Sequence, residues 1–132
     1  MAYALNSLLD RALDQDCLGH VLVQEWMASA NVVTYGVPGA NVDRSDGSAH
    51  REVDVLGVSH ESVVVAEVKN AVTGFDDESV KSSAKLARDL AADKLVLATM
   101  TDWPAPDKDR VQQTARAIFP ETSVIGLTDL LG

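Results

Sequence analysis

A single cysteine, Cys17, stands in 132 residues. No intrachain disulfide can form, which suits a reducing compartment and leads us to expect a cytoplasmic protein. No apolar run approaches the ~20 residues that cross a bilayer. The N-terminal stretch MAYALNSLLDRALDQD carries acids early and has no basic segment leading into an apolar one, so no secretory leader and no membrane partner are expected. Positive charge is also scarce: 11 Lys and Arg stand against 20 Asp and Glu, a net charge of -9. That balance argues against adhesion to nucleic acid through a broad basic surface. It is compatible with a site built from carboxylates, which recovers charge by binding divalent cations. The chain also lacks internal repeats, a G-x-x-x-x-G-K-[ST] loop, a G-x-G-x-x-G turn, a zinc-spaced cysteine pair and a nucleophile elbow. With only His20 as a basic neighbour for Cys17, a cysteine or serine hydrolase is set aside.

What is present is the balance of a globular protein, with 46% hydrophobic and 23% charged residues. The length fits one domain, residues 1–132. Residues 3–15 read as an amphipathic helix with Leu5, Leu8, Leu9, Ala12 and Leu13 on one side, and 18–30 as a second helix. A strand over 32–37 is expected to end at Pro38-Gly39, with GANVDRSDGSA as an exposed loop. Strands at 50–58 and 62–68 flank a short Ser-His-Glu connector and so form an antiparallel hairpin. A helix follows over 76–91, with Asp76 as N-cap and Val80, Ala84, Ala87 and Ala91 as its inner stripe. A buried strand over 94–100, a helix over 107–118, a strand over 122–127 and a last turn at 128–131 complete the pattern. The order ααβββαβαβ predicts an α/β three-layer sandwich, a mixed central sheet with helices on both faces.

The informative segment is REVDVLGVSHESVVVAEVKN, residues 51–70. Strand periodicity puts Val63, Val65, Glu67 and Lys69 on one face and Val64, Ala66 and Val68 on the other. The hairpin brings Asp54 towards Glu67, so two carboxylates and an amine converge at one end of a mostly apolar sheet. An isolated E-x-K is usually a solvated ion pair. Here the aliphatic strand and the preceding acid favour a site. Mg2+ or Mn2+ prefers such carboxylate oxygens, and Lys69 can orient water or meet growing charge. In the helix 18–30, a stripe of Leu18, Val21, Leu22, Glu25 and Ser29 puts Glu25 on the inward face, where a carboxylate needs a cation.

An acid in an N-terminal helix, Asp54 in E-V-D-V-L, and Glu67-x-Lys69 in V-V-V-A-E-V-K-N together resemble the PD-(D/E)XK nuclease superfamily, with its restriction-endonuclease-like fold. The spelling is most similar to archaeal Holliday junction resolvases, Mrr-type restriction domains and nuclease-related domains, over about residues 18–100. The resemblance implies a metal-dependent DNA endonuclease in which Asp54, Glu67, Glu25 and the Val68 carbonyl hold Mg2+ or Mn2+ and Lys69 is the catalytic lysine. It also implies duplex or branched DNA as substrate and a homodimer, as in resolvases. Val53 stands where many members have proline, and no Q-x-x-x-Y follows Lys69, which argues against the RecB-like branch.

Lys81, Lys85 and Arg88 share the outer face of the helix 76–91 and are candidates for meeting a phosphate backbone, although an ordinary solvated face explains them as well. Glu52 is a candidate second acid on the strand of Asp54. A different class of protein also fits the acidic balance: a nuclease-fold scaffold or binding domain without activity, held in a larger assembly.

Overall fold

The computed structural model describes residues 18–29, 35–43, 50–59 and 61–132. The expected helix 3–15 and His60 lie outside the described residues, as does the Glu52 side chain. In chain order the elements are α1 (Leu18–Ser29), β1 (Tyr35–Asp43), β2 (His50–Val58), β3 (Val63–Lys69), a 3-10 turn (Val72–Gly74), α2 (Asp77–Asp89), β4 (Lys94–Thr99), α3 (Ala105–Arg116), β5 (Thr122–Ile125) and α4 (Leu127–Leu131).

The strands form one mixed sheet in the order β1-β2-β3-β4-β5. β1, β2 and β3 are antiparallel neighbours, and β3, β4 and β5 run parallel. The parallel pairs need crossovers, which α2 and α3 supply. Two hydrophobic layers cover the sheet. Val65, Leu95, Leu97 and Val124 pack with Val80, Ala84 and Ala87 of α2 and with Val111 and Ala115 of α3. On the opposite face Val64, Ala66, Val68, Val96 and Ala98 pack with Val23 and Met27 of α1. β3 and β4 are therefore buried on both faces, which is why VVVAEV and LVLAT read as almost unbroken apolar runs. The fold is α/β with helices on both sides of a mixed sheet, as expected.

α2 starts where its sequence says it should. The Asp76 carboxylate accepts from the Ser79 N–H at 2.8 Å, and Asp77 and Glu78 complement the helix dipole. Val80, Ala84 and Ala87 are its buried stripe. Ala91 is not part of that stripe: it is exposed and left-handed, at φ 52, beyond the helix end.

β1 departs from expectation. It does not end at Pro38-Gly39 but runs through to Asp43, so part of the expected loop is strand. β1 is an edge of the described sheet, where a residue lacking an N–H costs no more than a solvent-facing bond. Gly39 takes φ 65, open to glycine at little cost.

Candidate functional site

The site begins as an irregularity in β2. Its register with β1 includes Pro38↔Val55 and Ala40↔Val53, skipping Gly39 and Asp54 and resuming unchanged beyond them. On its other side, the β2–β3 ladder stops at Val55↔Ala66. Asp54 thus sits where backbone pairing lapses on both flanks. Residues two apart in a regular strand share a face, yet Val55 packs beneath α1 while Val53 packs beneath α2 and α3. The chain turns over at Asp54.

Its carboxylate fills the gap the ladder leaves. Asp54 Oδ2 accepts from the Val68 N–H at 2.7 Å, in the position a β2 carbonyl would otherwise occupy. A short bond from backbone N–H to a charged acceptor is of the stronger kind. It draws the acid of β2 against the end of β3 that carries Glu67 and Lys69. Glu67 is 5% exposed and lies beside Leu97 across the β3–β4 register, with its Oε1 sealed from solvent. It is the one carboxylate on an otherwise aliphatic strand.

Lys69 closes the strand, half-buried, with its carbonyl accepting from Met100 N at 3.2 Å. Its stem lies over the 3-10 turn: a Cβ added at Gly74 would stand 3.0 to 3.3 Å from Lys69 Cβ, Cγ and Cδ. Gly74 is therefore the floor that lets the lysine stem lie flat, a role the sequence did not reveal.

The helix supplies a different side chain from the one expected. Glu25 is exposed on α1, not turned to the sheet. The inner line is Gly19, Val23 and Met27, one residue per turn, with Trp26 partly buried beside it. Gly19 sets this rotation. A Cβ there would come within 2.8 Å of Val68 Cγ1 and 3.1 Å of Met100 Sδ, so only glycine lets the helix start ride directly on β3. The next residue, His20, then turns towards β2, with Nε2 3.7 Å from Asp54 Oδ1. Both side chains are about one-fifth exposed, 20% and 22%.

Asp54 and Glu67 offer the hard oxygen ligands that a small divalent cation prefers, and Val68, next to Glu67 in sequence, adds a backbone carbonyl. Among the described residues, no three of His, Cys, Asp and Glu stand together as a ready-made metal site. The donor chemistry fits Mg2+ or Mn2+ with water completing the shell, since Mg2+ is commonly held by one or two carboxylates. Lys81, Lys85 and Arg88 are all exposed on α2, and Arg88 Nε lies 3.7 Å from Asp89 Oδ1. Among the described residues, no helix is long and apolar enough to cross a membrane.

No family model matches this chain, and no curated protein matches it. Ten chains of solved structures do. One is the crystal structure of protein VC1899 from Vibrio cholerae, similar with a TM-score of 0.57 and 21% identity over 86% of this chain. The likeness is one of fold. The chain spans 29% of the length of that protein.

Proposed function

We propose that this chain is a metal-dependent DNA endonuclease domain of the PD-(D/E)XK type, with the restriction-endonuclease-like version of the α/β sandwich. The observation that carries the reading is the 2.7 Å bond from Val68 N–H to Asp54. It holds the acid of β2 against the strand end where Glu67 and Lys69 follow one another on one face.

In this reading Asp54 and Glu67 hold Mg2+ or Mn2+, with the Val68 carbonyl as a further ligand. When bound, the ion would supply Lewis acidity. Lys69 would orient the attacking water and stabilise the negative charge that grows on the phosphoryl oxygens. The apolar surroundings of Glu67 strengthen these electrostatic terms. Lys81, Lys85 and Arg88 would meet the phosphate backbone, and a homodimer would present two sites to two strands of duplex or branched DNA. The net charge of -9 favours a second reading, an inactive scaffold of the same fold within a larger assembly.

The test is cleavage of branched, duplex and single-stranded DNA with Mg2+ or Mn2+. Glu67→Ala and Lys69→Ala should each lower the rate by roughly 10²- to 10⁴-fold, the range of a lost acid–base or electrostatic group. Equal cutting by the wild type and both variants would sink the proposal. No cutting by any of them, with no divalent-ion binding, would favour the scaffold.

A further inference from the structure

We infer that Arg110 is a positioning residue for Lys69, acting by clamping the turn on which the lysine stem rests. The inference rests on the nuclease reading above, and its test separates the two.

Three observations carry it. The first is where Lys69 lies. Its Cβ, Cγ and Cδ pass over Gly74. The turn around Gly74 has two short bonds of its own, from Gly74 N–H to the Ala71 carbonyl and from Phe75 N–H to the Val72 carbonyl, each 3.0 Å. No residue of the turn is buried, so this floor is only as fixed as its attachment to the rest of the fold. The second is what stands behind it. Val72, Thr73 and Phe75 line one side of an open cleft of about 500 Å3, and Asp107 and Arg110 of α3 line the other. On that side the turn faces open space instead of packed side chains. The third is the side chain that crosses the cleft. Arg110 Nη2 donates to the Phe75 carbonyl at 3.1 Å, at the exit of the turn. Arg110 Nη1 donates to Asp77 Oδ1 at 2.6 Å, in the first turn of α2. One planar guanidinium thus joins the turn, α2 and α3, a fork that a lysine does not reproduce.

The charges around the cleft sharpen its role. Asp76, Asp77, Glu78 and Asp107 line it, with Arg110 as the one cation among the lining residues. Without the guanidinium, Asp107 on α3 would face the acids at the start of α2 with repulsion alone. The ion pair itself is exposed on both partners and so contributes little to stability. Its consequence lies in where the turn, and the lysine upon it, is held.

The test uses the full chain isotopically labelled at the lysine Cε carbons, beside Arg110→Gln and Gly74→Ala. NMR relaxation at Lys69 Cε should show a restricted side chain in the wild type. Arg110→Gln should lose that restriction and approach the behaviour of Lys81, which is exposed on α2. With duplex DNA and Mg2+, kcat should fall about 10- to 100-fold in Arg110→Gln, the cost of a displaced reacting group, while KM stays within about twofold. Gly74→Ala disturbs the same stem, so the two losses should not multiply in the double variant. Circular dichroism checks that Arg110→Gln is folded, and Arg110→Lys takes its place if it is not. Unchanged Lys69 relaxation, an unchanged kcat, or losses that multiply would overturn the role of Arg110 and leave the nuclease reading standing. Lost restriction at Lys69 with no DNA cutting by any of the proteins would support the clamp and overturn the nuclease reading.

Discussion

Two aspartates hold the two ends of β3, and they do so differently. At the start of the strand Asp93 Oδ2 accepts from the Val63 N–H at 2.7 Å, and the Asp93 N–H returns a bond to the Val63 carbonyl at 2.8 Å. The ring is closed, exposed and local to the β3–β4 pair. At the far end Asp54 Oδ2 accepts from the Val68 N–H, also at 2.7 Å. That bond is partly buried and one-sided, and the second oxygen is turned to His20. Equal bonds thus have unequal settings. The Asp93 arrangement finishes a strand. The Asp54 arrangement finishes a strand and leaves its second carboxylate oxygen facing His20.

The sharpest way to break this comparison is to remove charge at each end while keeping an acceptor for the N–H. Asp54→Asn should lower metal-dependent cleavage by about 100-fold or more, as loss of a charge-stabilising group does, while Asp93→Asn leaves it within about twofold of wild type. Similar losses in both variants, measured as kcat/KM on one DNA substrate, would remove the distinction.

A second intervention acts on α1, whose start rests on Val68 beside Asp54. Gly19→Val forces a side chain into the 2.8 Å approach to Val68. It should cost about 1–3 kcal/mol by urea unfolding, the usual range for overpacking, and should weaken Mn2+ binding as well. An unchanged unfolding midpoint would mean that α1 does not ride on β3 as described.

A smaller effect is expected at the structural end. Asp93→Ala deletes one exposed hydrogen bond and should lower stability by about 1 kcal/mol, read from the same unfolding curves, with cleavage retained.

The smallest effect concerns a third aspartate, remote from both ends. Asp102 is fully exposed, and its carboxylate accepts from the Thr128 N–H at 2.8 Å and the Thr128 hydroxyl at 2.7 Å. The backbone bond first, then the side-chain bond, hold its pKa below the ordinary carboxyl value. A lowered folded-state pKa stabilises the folded form above the unfolded pKa, near pH 4, and that contribution is lost as the pH falls through the lowered value. Acid titration should therefore release the Thr128 amide in NMR spectra only at a pH below 4, and Asp102→Asn should abolish that step.

Much of the architecture was legible because burial writes itself into strands. VVVAEV and LVLAT are almost unbroken apolar runs, and the short connector between β2 and β3 permits little except a hairpin. Asp76 announces α2 through its cap. β1 was misread because Pro and Gly usually end strands. An edge position and one left-handed glycine remove both objections, and neither is visible in single-sequence periodicity. The approach of Asp54 to the end of β3 was legible, because it follows from the hairpin. The inner face of α1 was not. Apolar residues lie on several sides of LGHVLVQEWMAS, so more than one stripe can be drawn, and the choice falls to Gly19. A glycine reads as a break in a helix pattern, whereas here it is the point of closest approach to the sheet. That rotation exposes Glu25 and turns in His20, which had no visible partner until β2 was folded beside it.

The amide hydrogen of Val68 has an unusual guardian. Strand amides are ordinarily shielded by a neighbouring strand and exchange with solvent only when the sheet opens. This one is shielded by a side chain and by a helix resting on its own residue. Its exchange rate therefore gauges how tightly α1 and Asp54 are seated, without any substrate or turnover. Lifting the helix, or loosening Asp54, will quicken that exchange while the amides of β4 stay protected.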